Sequence, residues 1–497
     1  MSTPPALPAL LHPLVRAFLD APEALAGALM RFGTPSHLLF PQVYLDNLAR
    51  LRAVPSRHRL PARIYYAHKV NGSTALLRTA RGAGIAVDVA SAQELAAARE
   101  LGFAVADIEV TGPKGRRMLT ALARSGVTVN VDNPWELGEL AALADPGAPV
   151  PVLLRLSGFS GLSGSGTVSR FGIGPDDVDE LLALLAGLQD RIILRGFAFH
   201  LDTGELGDRV RAVQACLTWI ERAHTYGLAP DVIDIGGGFR QVFTADPDRF
   251  DHYTRMLRQS LLGHGEPMSW GANTFGYQLH GTGTGTGTHG VPVFHKYANT
   301  EPATRMLDDL LATRLPAHGG QPLARVLADN LLELWCEPGK ALLDHAGITV
   351  AGVEFVKRTV DGSIVVSVDI GRDTITPADQ EVMVDPLLLP GPESGDSPPG
   401  AAGGDGPIGV YIAGHLCLER DMISNHKVWL PRRPRPGDVL VFPNTGAYHM
   451  DLSAARAAQH PPPPKIAVHY RAGFHLCPDA DYRPAPPDPA AATAGRS

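Results

Sequence analysis

The chain has 497 residues, 44% of them hydrophobic and 19% charged, and a formal net charge of −7. That composition supports a large apolar core in two or more domains and offers no basic stripe to neutralise a phosphate backbone, so nucleic acid is excluded as the expected partner and a small molecule is favoured. No run approaches the roughly 18 apolar residues of a membrane span, no export signal opens the chain, and Cys216, Cys336, Cys417 and Cys477 lack knuckle or disulfide-scaffold spacing, so the expectation is a cytoplasmic protein with no membrane contact and no metal site.

The segment Arg31 to Pro41 is strand-like, and residues 1–45 are expected to pack with a later β domain. From Arg63 to Glu337 short apolar or β-branched runs alternate with Ala/Leu/Arg-rich stretches of helical periodicity, the pattern of βα units. Candidate strands fall at Arg63 to Ala67, Ile85 to Val89, Ile108 to Thr111, Val127 to Val131, Val152 to Leu156, Leu194 to His200, Val232 to Ile235 and Leu332 to Cys336. Eight such units close a (β/α)₈ barrel, here predicted over residues 46–340, with its chemistry at the C-terminal ends of the strands. Ser157 to Ser169 reads as a Gly/Ser loop. The Gly-Thr repeat Gly281 to Thr288 lacks the GK[ST] ending of a phosphate loop and reads as a flexible insertion.

After Lys340 the helical stretches stop. Strand-like runs at Gly347 to Phe355, Ser363 to Asp369, Val410 to Ala413, Val439 to Phe442 and Lys465 to His469 predict a β domain over residues 341–480. Pro390 to Pro407 is a Pro/Gly-rich loop, and the tail, residues 481–497 and above all the stretch from Arg483, is expected to be disordered.

The chemistry-bearing residues gather at strand ends. Lys69 follows the first barrel strand in YYAHKVN; a lysine partly desolvated there has a lowered pKa and becomes a nucleophile toward an aldehyde, as a cofactor Schiff base requires. A lone lysine at a strand end is usually only a solvated loop residue, so its company decides. Strand seven runs into Gly236, Gly237 and Gly238, whose backbone N–H groups can surround a phosphate where barrels commonly bind one. Strand eight ends in Glu337-Pro338-Gly339-Lys340, a carboxylate suited to a protonated ring nitrogen beside a cation. Strand six brings His200, able to lie flat on an aromatic ring, and Thr203, able to donate to a phosphate oxygen.

In order, YYAHKVN, DVAS with Glu94, SRFGI, HLDT, DIGGGF, EPGK, CLERD and NTGAYHMD resemble the fold-type III pyridoxal-phosphate-dependent decarboxylases, the diaminopimelate and ornithine decarboxylase group, from roughly residue 30 to residue 455. The resemblance implies an alanine-racemase-like barrel with a C-terminal β-sandwich or β-barrel domain, pyridoxal 5'-phosphate as cofactor, and a head-to-tail homodimer with shared active sites. It implies that Lys69 carries the cofactor beside Asp88, that His200 stacks on its ring, and that Glu337 keeps the ring nitrogen protonated. Thr203, Gly237, Gly238 and Tyr448 would hold the phosphate, and Gly236, Gly339 and Lys340 would also bind the cofactor. Cys417 would reprotonate the substrate after carbon dioxide leaves, reaching in from the partner subunit, while Arg170, Glu419 and Asp421 would shape the substrate end.

The chain departs from the family pattern at several of these places. Lys340 stands where an arginine is usual, a point charge in place of a bidentate fork. Leu418 follows the cysteine where diaminopimelate decarboxylases carry a glutamate, and Thr376 and Gln380 stand where an arginine and a tyrosine are usual. A substrate other than diaminopimelate is therefore favoured. Two rival readings are a racemase or epimerase of the same fold, which would use a tyrosine rather than the Cys417 segment, and a non-catalytic cofactor-binding regulator.

Overall fold

The computed structural model describes residues 4–159, 169–282, 285–375, 384–391, 406–451 and 457–484. Thr376, Gln380, most of the Pro/Gly-rich loop and of the Gly/Ser loop, and the tail beyond 484 lie outside the described residues. The described residues divide into two compact units, one of Met1–Tyr44, Arg240–Glu301 and Leu343–Tyr482, the other of Leu45–Phe239 with Pro302–Leu342.

The second unit is a closed barrel of eight parallel strands: Ala62–Ala67, Ala86–Val89, Ile108–Val110, Thr128–Val131, Val150–Arg155, Ile192–Ala198, Val232–Asp234 and Glu333–Cys336. The eight strands read from the alternating pattern are these eight. Inside, Tyr65, Ala86, Leu153, Ala198, Val232 and Trp335 form one buried cluster in which small residues leave room for two large rings, Tyr65 and Trp335, 4.8 Å apart. Gly196 is required by closure: a β-carbon there would lie 1.9 Å from the Val232 carbonyl oxygen. Helices between strands start where the sequence supplies caps. Ser91 accepts the Glu94 N–H at 3.1 Å while the Glu94 carboxylate accepts from Ala90 N–H, a reciprocal cap that explains Glu94 within its motif.

The first unit is built on a nine-stranded mixed sheet. The strand-like segment near residue 36 narrows to Ser36–Leu39, which runs antiparallel to Gly347–Arg358 and parallel to Lys465–Tyr470. Arg31 and Phe32, read as strand, instead close the helix Pro22–Phe32. Short strands at Leu387–Leu389, Val428–Leu430 and Phe474–Pro478 complete the sheet; at three to five residues they are too brief for period-two alternation to announce them.

One expectation is corrected. Residues 46–340 are not all barrel, because Arg240–Glu301 groups with the sheet unit. Phe243, Phe250, Tyr253, Leu257, Phe275 and Phe294 share an apolar cluster with Leu7 and Val384, and burying these rings outweighs chain proximity to the barrel. Residues of the Gly-Thr repeat contribute to an antiparallel hairpin, Gln278–Thr282 with Gly285–His289.

Among the described residues no helix is long and apolar enough to cross a membrane. Trp335→Ala, which empties a fully packed site in the barrel, is expected to lower unfolding free energy by about 3–5 kcal/mol, whereas Trp135→Ala, at 53% exposure, should change it by less than about 0.5 kcal/mol. Urea unfolding of both variants measures the contrast.

Candidate active site

The first barrel strand runs into a short 3₁₀ turn, His68–Val70, so Lys69 emerges at the C-terminal mouth. Ala67 pairs in register with Asp88 on the next strand, and Cys336 pairs with Ile64 on the other side, so carboxylates from both neighbours flank the lysine. Its Nζ lies 3.2 Å from Asp88 Oδ2 and 3.9 Å from Glu337 Oε2. Lys69 is 32% exposed while Asp88 is wholly buried and Glu337 nearly so. Gly339 makes this approach possible. A β-carbon there would meet Val70 Cγ2 at 2.3 Å, so only glycine lets the Glu-Pro-Gly turn pack on the lysine turn.

Seated beside these groups is the glycine turn. Gly236 N–H donates to Asp234 Oδ1 at 2.8 Å and Gly237 N–H to His200 Nδ1 at 3.2 Å. Gly238 adopts φ +75°, and a β-carbon there would meet the Leu201 carbonyl at 2.0 Å. Behind the turn, buried Arg209 donates to the carbonyls of Leu201 and Gly237, both at 2.8 Å, and its guanidinium lies over Phe239. Thr203 Oγ1 accepts from Glu205 N–H at 3.1 Å, and Lys340 Nζ is held by Asp202 at 3.1 Å. The imidazole of His200 is open to solvent at the mouth, yet the protein crowded beneath it, then Lys69, Arg155 and Arg209, lower its pKa and keep it neutral.

The carboxylates are poised differently. Burial pushes Asp88 up to about 7, reinforced by Glu337 and opposed by Lys69. Glu337 is likewise pushed to about 7 by burial and Asp234, against Lys69 and Arg155. Asp234 rises to about 6 and Glu109 well above the carboxylate range, burial leading in both cases. Oxygens of Glu109, Asp234 and Glu337 converge within 4.8 Å of one another.

The barrel thus brings Lys69, Asp88, Glu337, His200 and the three glycines together. Arg170 is exposed and stacks on Phe171 at 4.2 Å. Cys417, Leu418 and Glu419 are exposed on a turn of the sheet unit, and Tyr448, half-buried with φ +66°, belongs to that unit too. Asp421 is buried, its Oδ1 accepts Arg372 N–H and its Oδ2 accepts Leu416 N–H, both at 2.7 Å, so the carboxylate shapes its own turn. Gly414 fits the same arrangement, since a β-carbon there would strike Asp421 Oδ2.

Sequence reasoning missed Glu109, Asp234 as an acid, and Arg155, which pairs with Asp132 at 3.3 Å. The available signal was a charged residue inside or ending a short apolar strand, as in Ile-Glu-Val and Val-Ile-Asp.

A folded pKa above the ordinary value means that folding takes up protons. This contribution to stability is complete below the ordinary values of 3.8 and 4.5 and is lost as pH rises through about 7. The ligand-free protein should therefore gain stability from these groups between about pH 8 and about pH 5, and Asp88→Asn should flatten that slope in urea unfolding. An unchanged slope in the variant would count against the assignment.

Residues 48–268 match the family model described as "Pyridoxal-dependent decarboxylase, pyridoxal binding domain". The chain is 34% identical to the uncharacterised protein y4yA of Sinorhizobium fredii, over 88% of each chain. It is 28% identical to a diaminopimelate decarboxylase of Actinosynnema pretiosum, over 93% of this chain and 92% of that one. Among solved structures, the diaminopimelate decarboxylase of M. jannaschii superposes with a TM-score of 0.66 at 17% identity, covering 91% of this chain and 90% of the other, a likeness of fold.

Proposed function

Given that this chain belongs to the fold-type III pyridoxal-phosphate-dependent decarboxylase family, we propose that it removes carbon dioxide from an amino acid or amino-acid-derived intermediate, with Lys69 as the residue that holds the cofactor. The observation that carries this reading is the Lys69 ammonium between buried Asp88 and Glu337 at the barrel mouth, 3.2 and 3.9 Å away.

The residues present fit pyridoxal 5'-phosphate: an amine for its aldehyde beside a buried carboxylate for its ring nitrogen. When bound, the ring supplies an electron sink for the charge released as a carboxylate departs. In this reading Glu337 holds a proton at the ring nitrogen, and neutral His200 covers one ring face without competing for that proton. Asp88 steadies the Lys69 ammonium. Thr203, Gly237, Gly238 and Tyr448 bind the phosphate, and Gly236, Gly339 and Lys340 also bind the cofactor, Lys340 being oriented by Asp202. Cys417 returns one proton to the α-carbon from the partner subunit of a head-to-tail homodimer; its thiol is exposed on its turn, as that role demands. Arg170 and Glu419, both exposed, and buried Asp421 are the candidates for the substrate end.

The preferred substrate in this reading is not diaminopimelate. Leu418, 51% exposed directly after the cysteine, offers an apolar surface with no charge to pair a distal ammonium. A cytoplasmic location belongs to the same reading.

Lys69→Ala is expected to abolish the absorbance of the bound pyridoxal chromophore near the visible edge; a retained band would overturn the assignment. Cys417→Ala should slow turnover by about 10²-fold or more, and mixing it with Lys69→Ala subunits should restore part of the activity, which separate active sites could not do. Carbon dioxide release from meso-diaminopimelate, lysine, ornithine, arginine and a citryl-amino acid tests the substrate: fast, selective turnover of meso-diaminopimelate would remove the proposed departure.

A further inference from the structure

Beneath the lysine lies a set of acids with no role in the site as described so far. Glu109 ends no strand; it sits inside Ile108–Val110, wholly buried, and points to the same region as Asp234 and Glu337, from three different strands or strand ends. We propose that Glu109 is a positioning residue, a buried carboxylic acid that shares its proton with Asp234, so that the trio carries two negative charges rather than three and Glu337, facing the barrel mouth, is one of the ionised members.

The hydrogen bonds carry this. Glu109 Oε1 accepts from Asn130 Nδ2 at 2.9 Å, and Asp234 Oδ1 accepts from Gly236 N–H at 2.8 Å. The other oxygens, Glu109 Oε2 and Asp234 Oδ2, are sealed from solvent with no donor among the described residues. A sealed carboxylate oxygen without a donor costs several times what a hydrogen bond returns, and one proton held between the two acids satisfies both. Charge leads to the same result. Lys69 reaches Asp88 and Glu337, but no ion pair among the described residues reaches Glu109 or Asp234. Three buried carboxylates this close cannot all ionise. The titratable and charged groups facing the trio are Asp88, Tyr65, Cys336 and Cys216, with Lys69 and Arg155 on the mouth side of Glu337. Arg209 Nη2 donates to the backbone carbonyls of Leu201 and Gly237. Glu337 also meets Asp234, a contact that opposes its ionisation, while Lys69 and Arg155 favour it and leave the proton with the deeper pair. Glu109 acts through Asp234 and Glu337, and its relevance to the cofactor rests on the reading of Glu337 as partner of the ring nitrogen.

Infrared spectra of the ligand-free protein carrying ¹³C-labelled glutamate provide the test, at about pH 8, where Glu337 with its pKa of about 7 is ionised. The wild-type protein should show a protonated carboxylic-acid carbonyl band that disappears in Glu109→Gln and persists in Glu109→Asp when aspartate is labelled instead. In the cofactor-loaded protein, Glu109→Gln should shift the pH profile of chromophore absorbance, and Glu109→Asp should restore it. Absence of the band from wild-type protein overturns the proposal without any variant, as does a band that survives Glu109→Gln. Because the infrared reading needs no cofactor, the shared proton stands or falls separately from the role of Glu337, which a chromophore unaffected by Glu337→Gln would refute.

Discussion

The barrel mouth is organised by one ammonium group placed between two carboxylates that water cannot reach. Lys69 is the cation that makes it tolerable for Asp88 and Glu337 to approach each other in a dry interior, and the two acids in turn hold the lysine where the strands end. Removing the cation takes away the ion-pair partner of both acids, and removing the acids takes away the two carboxylates nearest the amine. The contact between the Gly339 turn and Val70 makes this arrangement geometrically possible, because any larger residue would push the eighth strand's end away from the first.

The same economy of space recurs at the glycine turn. Gly236, Gly237 and Gly238 lie so close to the carbonyls of Phe199, Glu337 and Leu201 that a single β-carbon would break the fit. Arg209 then braces the turn from behind by donating to backbone rather than to an acid, so its charge contributes a positive background without consuming a carboxylate. A turn formed this way is bounded most closely by backbone rather than by side chains. The energetic cost lies in the buried acids, whose raised proton affinities trade stability at neutral pH for a site that can hold and move protons.

Much of the candidate site was legible because the informative residues sit immediately after strands that local pattern identifies. Lys69, His200, Glu337 and the three glycines each follow an apolar run, and the periodicity that locates the run locates the residue. Asp421 differs: its motif is recognisable, but the sequence does not show that each of its oxygens accepts a backbone N–H, from Arg372 and Leu416, one of them 49 positions away in the chain. Arg240–Glu301 was assigned to the barrel on chain order alone, whereas its aromatic face belongs with Leu7 and Val384.

By itself the sequence determined the eight βα units, the all-β character after Lys340 and the strand-end positions of the cofactor-type residues, since each is a pattern of a few neighbouring side chains. Only the tertiary structure decided which strands, more than 300 residues later, Ser36–Leu39 pairs with and in what register, and that Glu109, Asp234 and Glu337 converge. The physical reason is closure. A barrel joins its first and last strands and aims inward residues from distant positions at one axis, and that convergence is a property of the closed ring rather than of any stretch of chain.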